Sequence, residues 1–132
     1  MSGEGRRAAR ERALELLYEA EAKDTTAAAV VDALPIAPDA YACVLVVGVD
    51  DHRDEIDALV SQYAKGWALD RMPAVDRALL RLGAYELLHH PDVPVAVVIS
   101  EAVELASQFS TDDSSRFVNG VLSAIAKATR DG

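Results

Sequence analysis

Three arginines near the start of the chain, Arg6, Arg7 and Arg10, have the type and spacing to hold phosphate. On a helix they lie within one or two turns of one another. Arginines at a helix N-terminus oppose the macrodipole, at a cost of roughly a few tenths of a kcal/mol each. Such a local conflict is a mild sign of function; a solvated basic face is the alternative. A second stretch, Asp112-Asp113-Ser114-Ser115-Arg116-Phe117-Val118-Asn119-Gly120-Val121-Leu122, reads as a cap followed by a helix. Asp112, Asp113 and Ser114 are all good N-cap residues. Asn119 is a poor helix former, and Gly120 costs roughly 1 kcal/mol against alanine in a helix interior. Either Gly120 lets another helix pack close and Asn119 is solvated, or this helix start is a contact surface with Phe117 partly available; in both cases close helix packing is the better account of Gly120.

No catalytic constellation accompanies these groups. His52, His89 and His90 show no ligand spacing, and the neighbours His89 and His90 point in different directions on a helix. They are expected to be exposed helix-end histidines, with no metal. There is no Walker loop and no GxGxxG. Cys43 lies in an apolar run with no base arranged beside it, which suits a structural buried thiol. Asp50-Asp51 and Asp112-Asp113 are expected to be solvated pairs. Neither an enzymatic activity nor a cofactor is expected.

The elements that must position these residues are helical. The chain has 132 residues, and one domain over 1–132 is expected, long enough for a core without metal or disulfide staples. Its hydrophobic fraction is 51%, much of it alanine, with only 5% aromatic residues, seven glycines and five prolines. That composition suggests a helical bundle. A lone cysteine, a polar arginine-rich start and no apolar run of membrane-spanning length lead to the expectation of a cytoplasmic protein without a leader. The formal net charge is −9, yet residues 1–12 hold four arginines against two glutamates. A basic tip on an acidic body confines any nucleic-acid contact to one end.

The periodicity predicts a first helix from Arg6 to Ala22, with Ala9, Ala13, Leu14, Leu17 and Ala20 on its apolar face and Tyr18 near the seam. A short helix follows the Lys23–Thr26 turn, closed by Pro35 and Pro38. A third runs from Asp39 to about His52. A further segment carries Ile56, Leu59, Val60 and Tyr63, joined to the third or kinked near Asp51. Trp67 and Leu69 are expected to tuck into the core from a connector. Residues 74–90 form the most apolar helix, central to the bundle, with Asp76 and Arg77 facing the surface or a partner. Val95–Ile99 has strand propensity, but the pattern beyond it favours a helix from about Val97 to Gln108. The last helix ends near Lys127 or Ala128. The fold class is therefore all-α, with about seven helices.

Several motifs in register resemble the NusB family of bacterial transcription antitermination factors. They are Arg6-Arg7-Ala8-Ala9-Arg10-Glu11 with Leu17-Tyr18, then Val75-Asp76-Arg77-Ala78-Leu79-Leu80-Arg81 with Tyr85-Glu86-Leu87. Asp92-Val93-Pro94, Glu101-Ala102-Val103-Glu104-Leu105-Ala106, and Asp113-Ser114 with Phe117-Val118-Asn119-Gly120-Val121-Leu122 complete the set. Together they cover the chain from Arg6 to about Lys127, and details such as Ser110-Thr111-Asp112-Asp113-Ser114 resemble the actinobacterial branch.

The resemblance implies two small helical bundles packed together. It implies partners: the single-stranded boxA element of nascent RNA, ribosomal protein S10 (NusE), and, indirectly, other Nus factors and RNA polymerase. By resemblance, Arg6, Arg7 and Arg10 hold RNA phosphates, and Asp113, Arg116, Phe117 and Asn119 lie at the RNA-facing start of the last helix. Tyr18, Asp76 and Leu80 would form the S10 surface. Exposed apolar surface on the central helix would serve S10 or a homodimer. The chain departs from the family where Ala8 interrupts the basic run and residues 2–5 hold no lysine, which bears on RNA affinity more than on fold. Two other readings share the fold: the RNA-binding domain of a ribosomal RNA cytosine methyltransferase, disfavoured because no methyltransferase domain follows, and a structural or dimerising helical module.

Overall fold

The computed structural model describes residues 3–130. Residues 1, 2, 131 and 132 of the expected unit lie outside the described residues. The described residues form seven α-helices and no strand: α1 (Gly3–Ala22), α2 (Ala27–Asp32), α3 (Ala40–Asp51), α4 (Arg53–Tyr63), α5 (Ala74–His89), α6 (Val95–Phe109) and α7 (Asp112–Arg130), with a 3-10 turn at Leu69–Arg71. Helices α1–α3 make one sub-bundle and α4–α7 the other. Helix α5 packs against α1, α3, α4, α6 and α7, which makes it the shared element. One apolar cluster runs through both sub-bundles. No helix among the described residues is long and apolar enough to cross a membrane.

Local chemistry sets most helix starts. Thr26 caps α2 by accepting the Ala29 N–H at 3.1 Å, and Asp39 caps α3 by accepting the Tyr41 N–H at 2.8 Å. Asp50 is not merely solvated: its carboxylate accepts the Ala28 N–H at 2.9 Å and ties the end of α3 to the start of α2. Helices α3 and α4 are separate, with His52 as the joint between them. Helix α6 absorbs the β-branched run from Val95 onward. The Pro94 carbonyl accepts the first N–H groups, and Val98, Glu101, Ala102, Leu105 and Ala106 bury one face, so burial overrides strand propensity. The cap of α7 is Thr111, one residue before the expected candidates. Its Oγ1 accepts the Ser114 N–H at 3.1 Å, leaving Asp112 and Asp113 in the first turn, where the helix dipole favours them.

Helix α7 extends to Arg130, past its expected end. The Arg130 guanidinium donates to the carbonyls of Glu86 at 2.9 Å, Leu87 at 2.9 Å, His90 at 2.7 Å and Val93 at 2.5 Å. Among them, the Leu87 carbonyl is one that the last turn of α5 leaves without a helical partner. Two glycines make α5 a close neighbour. Gly48 lies under the Tyr85 ring, and a Cβ on Gly83 would stand 2.6 Å from Leu122 Cδ1. Gly120 is different from what was expected: a Cβ there would meet nothing within 4 Å, so close helix packing does not explain it. Trp67 also departs from expectation. It is 53% exposed and lies outside the core, because its ring packs against Phe117 at the surface.

Candidate nucleic-acid interface

The arginines of α1 meet three different environments. The Arg6 guanidinium sits over the Tyr41 ring at 4.2 Å from its centroid, a cation–π contact that leaves it partly exposed. Arg7 is exposed but engaged: Nε donates to Glu101 at 3.0 Å and Nη2 lies 2.6 Å from Glu104. Arg10 overturns its expected role. It is only 4% exposed, and its guanidinium grips Glu86 with two bonds of 2.8 Å and reaches Glu101 at 3.4 Å. Burial opposes the charge of Arg10, but the hydrogen bond and charge of Glu86, helped by Tyr41 and Glu101, raise its pKa above the ordinary value. The same Glu86 accepts the Tyr41 hydroxyl at 2.7 Å. Burial first, then that bond and the Glu86 charge, push the Tyr41 phenol up to about 12. Arg10 therefore locks α1 to α5 and α6 and has no face to offer a phosphate.

At the start of α7, side chains converge on a pocket of about 320 Å³ lined by Trp67, Pro73, Asp76, Thr111, Asp113, Ser114 and Phe117. The Trp67 and Phe117 rings pack at 5.8 Å between centroids, tilted by 57°. Asp76 is 3% exposed, so it is not the open surface carboxylate that was expected. Ser114 Oγ donates to its Oδ2 at 2.9 Å, while Oδ1 is buried with no hydrogen-bond partner. A buried acceptor without a donor carries a cost of about 1–3 kcal/mol. Asp113 and Arg116 are exposed and paired with each other. Asn119 is exposed one turn further on, accepting the Ser123 hydroxyl at 3.2 Å. Both the arginine tip and this pocket lean on α6: Arg7 bonds its Glu101 and Glu104, and Ser115 Oγ donates to its Val103 carbonyl at 3.4 Å.

The residues expected to meet a protein partner are split. Tyr18 is 50% exposed and lines a separate pocket of about 140 Å³ with Leu17, Glu21, Arg53, Ala78 and Arg81. Leu80 is fully buried, at 0% exposure, and belongs to the core rather than to a surface. Asp76 stands with Phe117 and Asp113 instead of with Tyr18. Arg77 is no free surface charge either. It pairs with Glu21 of α1 and donates to the Leu69 and Met72 carbonyls at 2.7 Å. Hydrogen bonding to Arg77, against a smaller opposing effect of burial, holds the Glu21 carboxyl below its ordinary pKa.

A sequence profile of the NusB family matches residues 7–127. The chain belongs to the NusB family. Among solved structures, NusB from T. maritima is 34% identical, with a TM-score of 0.84 over 92% of this chain and 90% of that one. NusB in a crystal structure of the antitermination factors NusB and NusE with dsRNA is 31% identical, with a TM-score of 0.82 over 96% and 99%. The solution structure of NusB from Aquifex aeolicus is 31% identical, with a TM-score of 0.71 over 97% and 93%. Within the NusB fold of this chain, sequence reasoning missed Trp67, Ser114, Glu86 and Glu101. Glu86 and Glu101 were findable, since each is a charged side chain on an otherwise apolar helix face. Trp67 and Ser114 carried no such local signal.

Proposed function

We propose that this chain is a non-catalytic, cytoplasmic adaptor that binds boxA-type single-stranded RNA together with ribosomal protein S10 (NusE). In that role it promotes read-through by RNA polymerase, notably of ribosomal RNA operons. The observation that carries the reading is the pocket at the start of α7. Two aromatic rings and the exposed Asp113 carboxylate suit an unpaired base, which is recognised by stacking and by hydrogen bonds to its edge. A base amino group would donate to Asp113, while Phe117 and Trp67 supply stacking worth roughly 1–3 kcal/mol per base. Asn119 offers both a donor and an acceptor to a second base, and Arg116 lies beside the path. Arg6 and Arg7 would hold phosphates, Arg7 by exchanging glutamate partners for the backbone. Tyr18 and its pocket would face S10.

The test is a titration with a short boxA-like RNA, with and without S10. Weak binding alone and tighter binding with S10 are expected. With about two phosphate contacts, log affinity should fall against log salt with a slope of roughly −1 to −2. Phe117→Ala should weaken RNA binding at least tenfold while leaving the melting temperature nearly unchanged. Absence of binding even with S10 would sink the proposal. Asp76→Asn should alter RNA affinity more than S10 affinity; the reverse would return Asp76 to the protein surface.

A further inference from the structure

Away from the α7 pocket, one cluster of ligand-type side chains among the described residues is assembled by the fold alone. His52 is the joint between α3 and α4, Glu55 lies in the first turn of α4, and His89 ends α5. His89 Nε2 lies 2.8 Å from Glu55 Oε1, and His52 Nδ1 lies 3.6 Å from the same oxygen. One ligand atom from each of the three falls within 4.8 Å of the other two. The His52 and His89 rings stack at 4.0 Å between centroids. Tyr85 backs both, at 6.0 Å from His52 and 5.3 Å from His89.

We propose that His52, Glu55 and His89 form a binding site for a divalent metal ion of the zinc class. The donor set is two imidazoles and one carboxylate, which zinc takes at about 2.0–2.2 Å. Donors of a tetrahedral ion with such bonds stand roughly 3.3 Å apart, and the two distances from Glu55 Oε1 bracket that value. Binding requires the two imidazoles, now stacked with planes 27° apart, to tilt so that both in-plane lone pairs aim at one point; all three side chains are at least partly solvent-exposed. An ion pair accounts for Glu55 and one histidine, but not for the second imidazole stacked over the first. The surroundings favour a cation as well. Asp51 and Asp54 lie within four residues of Glu55, while the nearby Asp50 and Asp57 are committed to Arg53 and Arg81. Three protein ligands leave a fourth position for water. The bound ion would join the end of α3 and the start of α4 to the end of α5, bridging the two sub-bundles. This site is independent of the RNA reading, and it reverses the expectation of unconnected helix-end histidines.

The experiment is a calorimetric titration of the tag-free full chain with Zn²⁺ alone, with Co²⁺ as a spectroscopic stand-in. The expected result is one ion per chain and visible d–d absorption of bound Co²⁺. Saturating zinc should raise the melting temperature by about 5 °C or more, because a ligand that binds only the folded state stabilises it by mass action. His52→Ala, His89→Ala and Glu55→Gln should each weaken zinc binding at least tenfold while keeping the wild-type circular dichroism spectrum. His90→Ala and Cys43→Ser should bind as wild type. His90 lies next to His89 but contacts the Tyr85 hydroxyl at 3.2 Å instead, and Cys43 is the chain's sole thiol. The proposal is overturned by absent stoichiometric binding, by unchanged affinity in the three ligand variants, or by equal loss in either control.

Discussion

Arg7 and Arg10 stand one helical turn apart and have opposite fates. Arg7 is itself exposed and reaches the buried Glu101 and the exposed Glu104; an ion pair of an exposed arginine contributes at most about 1 kcal/mol. Arg10 is sealed between Glu86 and Glu101, where removing one partner leaves a buried charge uncompensated. Arg10→Ala or Glu86→Ala should therefore lower stability by about 3–5 kcal/mol in urea unfolding, against less than about 1 kcal/mol for Arg7→Ala. Tyr41 makes the pH dependence testable. Its phenol is held protonated in the fold, with a pKa raised from 10.0 to about 12. The stability it contributes is thus complete below pH 10.0 and lost as pH rises towards about 12. An ultraviolet titration of phenolate should show this late step, and Tyr41→Phe should remove it and flatten the alkaline limb of the stability curve. The helical wheel placed Arg10 correctly next to Arg6 and Arg7. It held no information on Glu86 and Glu101, which lie 76 and 91 residues further along the chain.

Among the helices, three glycines in similar contexts do different work. Gly48 and Gly83 let α5 approach α3 and α7, so their neighbours occupy the space a Cβ would need. Gly120 faces open space on α7. Gly48→Ala should cost about 1–3 kcal/mol, since the Tyr85 ring must move. Gly120→Ala should raise stability by up to about 1 kcal/mol through helix propensity alone. Chemical denaturation of the two variants checks both signs. Sequence reasoning gave Gly120 a packing role, because a glycine inside a helix looks the same whether its missing side chain makes room for a neighbour or for nothing. Element identities were more legible. Most helices had clear caps, prolines or periodicity; the break between α3 and α4 was left open, and α6 was recovered beyond its β-branched start by the apolar spacing that follows. The ends were less so, as Arg130 shows: its value lies in the carbonyls of α5 that it reaches, not in its own helix pattern.

Across the whole molecule, the two sub-bundles share α5 and one apolar cluster. Unfolding should accordingly be a single transition. Circular dichroism and the fluorescence of Trp67, the sole tryptophan, should give coincident denaturation curves; separated midpoints would show that the sub-bundles unfold independently. Composition, proline placement and 3.6-residue periodicity by themselves determined the all-helical class and the family motifs, and the number of helices up to the open junction between α3 and α4, because those signals are local. Only the tertiary structure decided which polar groups remain at the surface. It buried Arg10 and Leu80, moved Asp76 into the pocket with Phe117, brought Trp67 out to meet that ring, and set His52 against His89. The physical reason is that the free energy of a charged or polar side chain is set by its neighbours in space, through desolvation, pairing and hydrogen bonding. Those neighbours come from helices far apart in the chain, so the pattern along any one helix does not contain them.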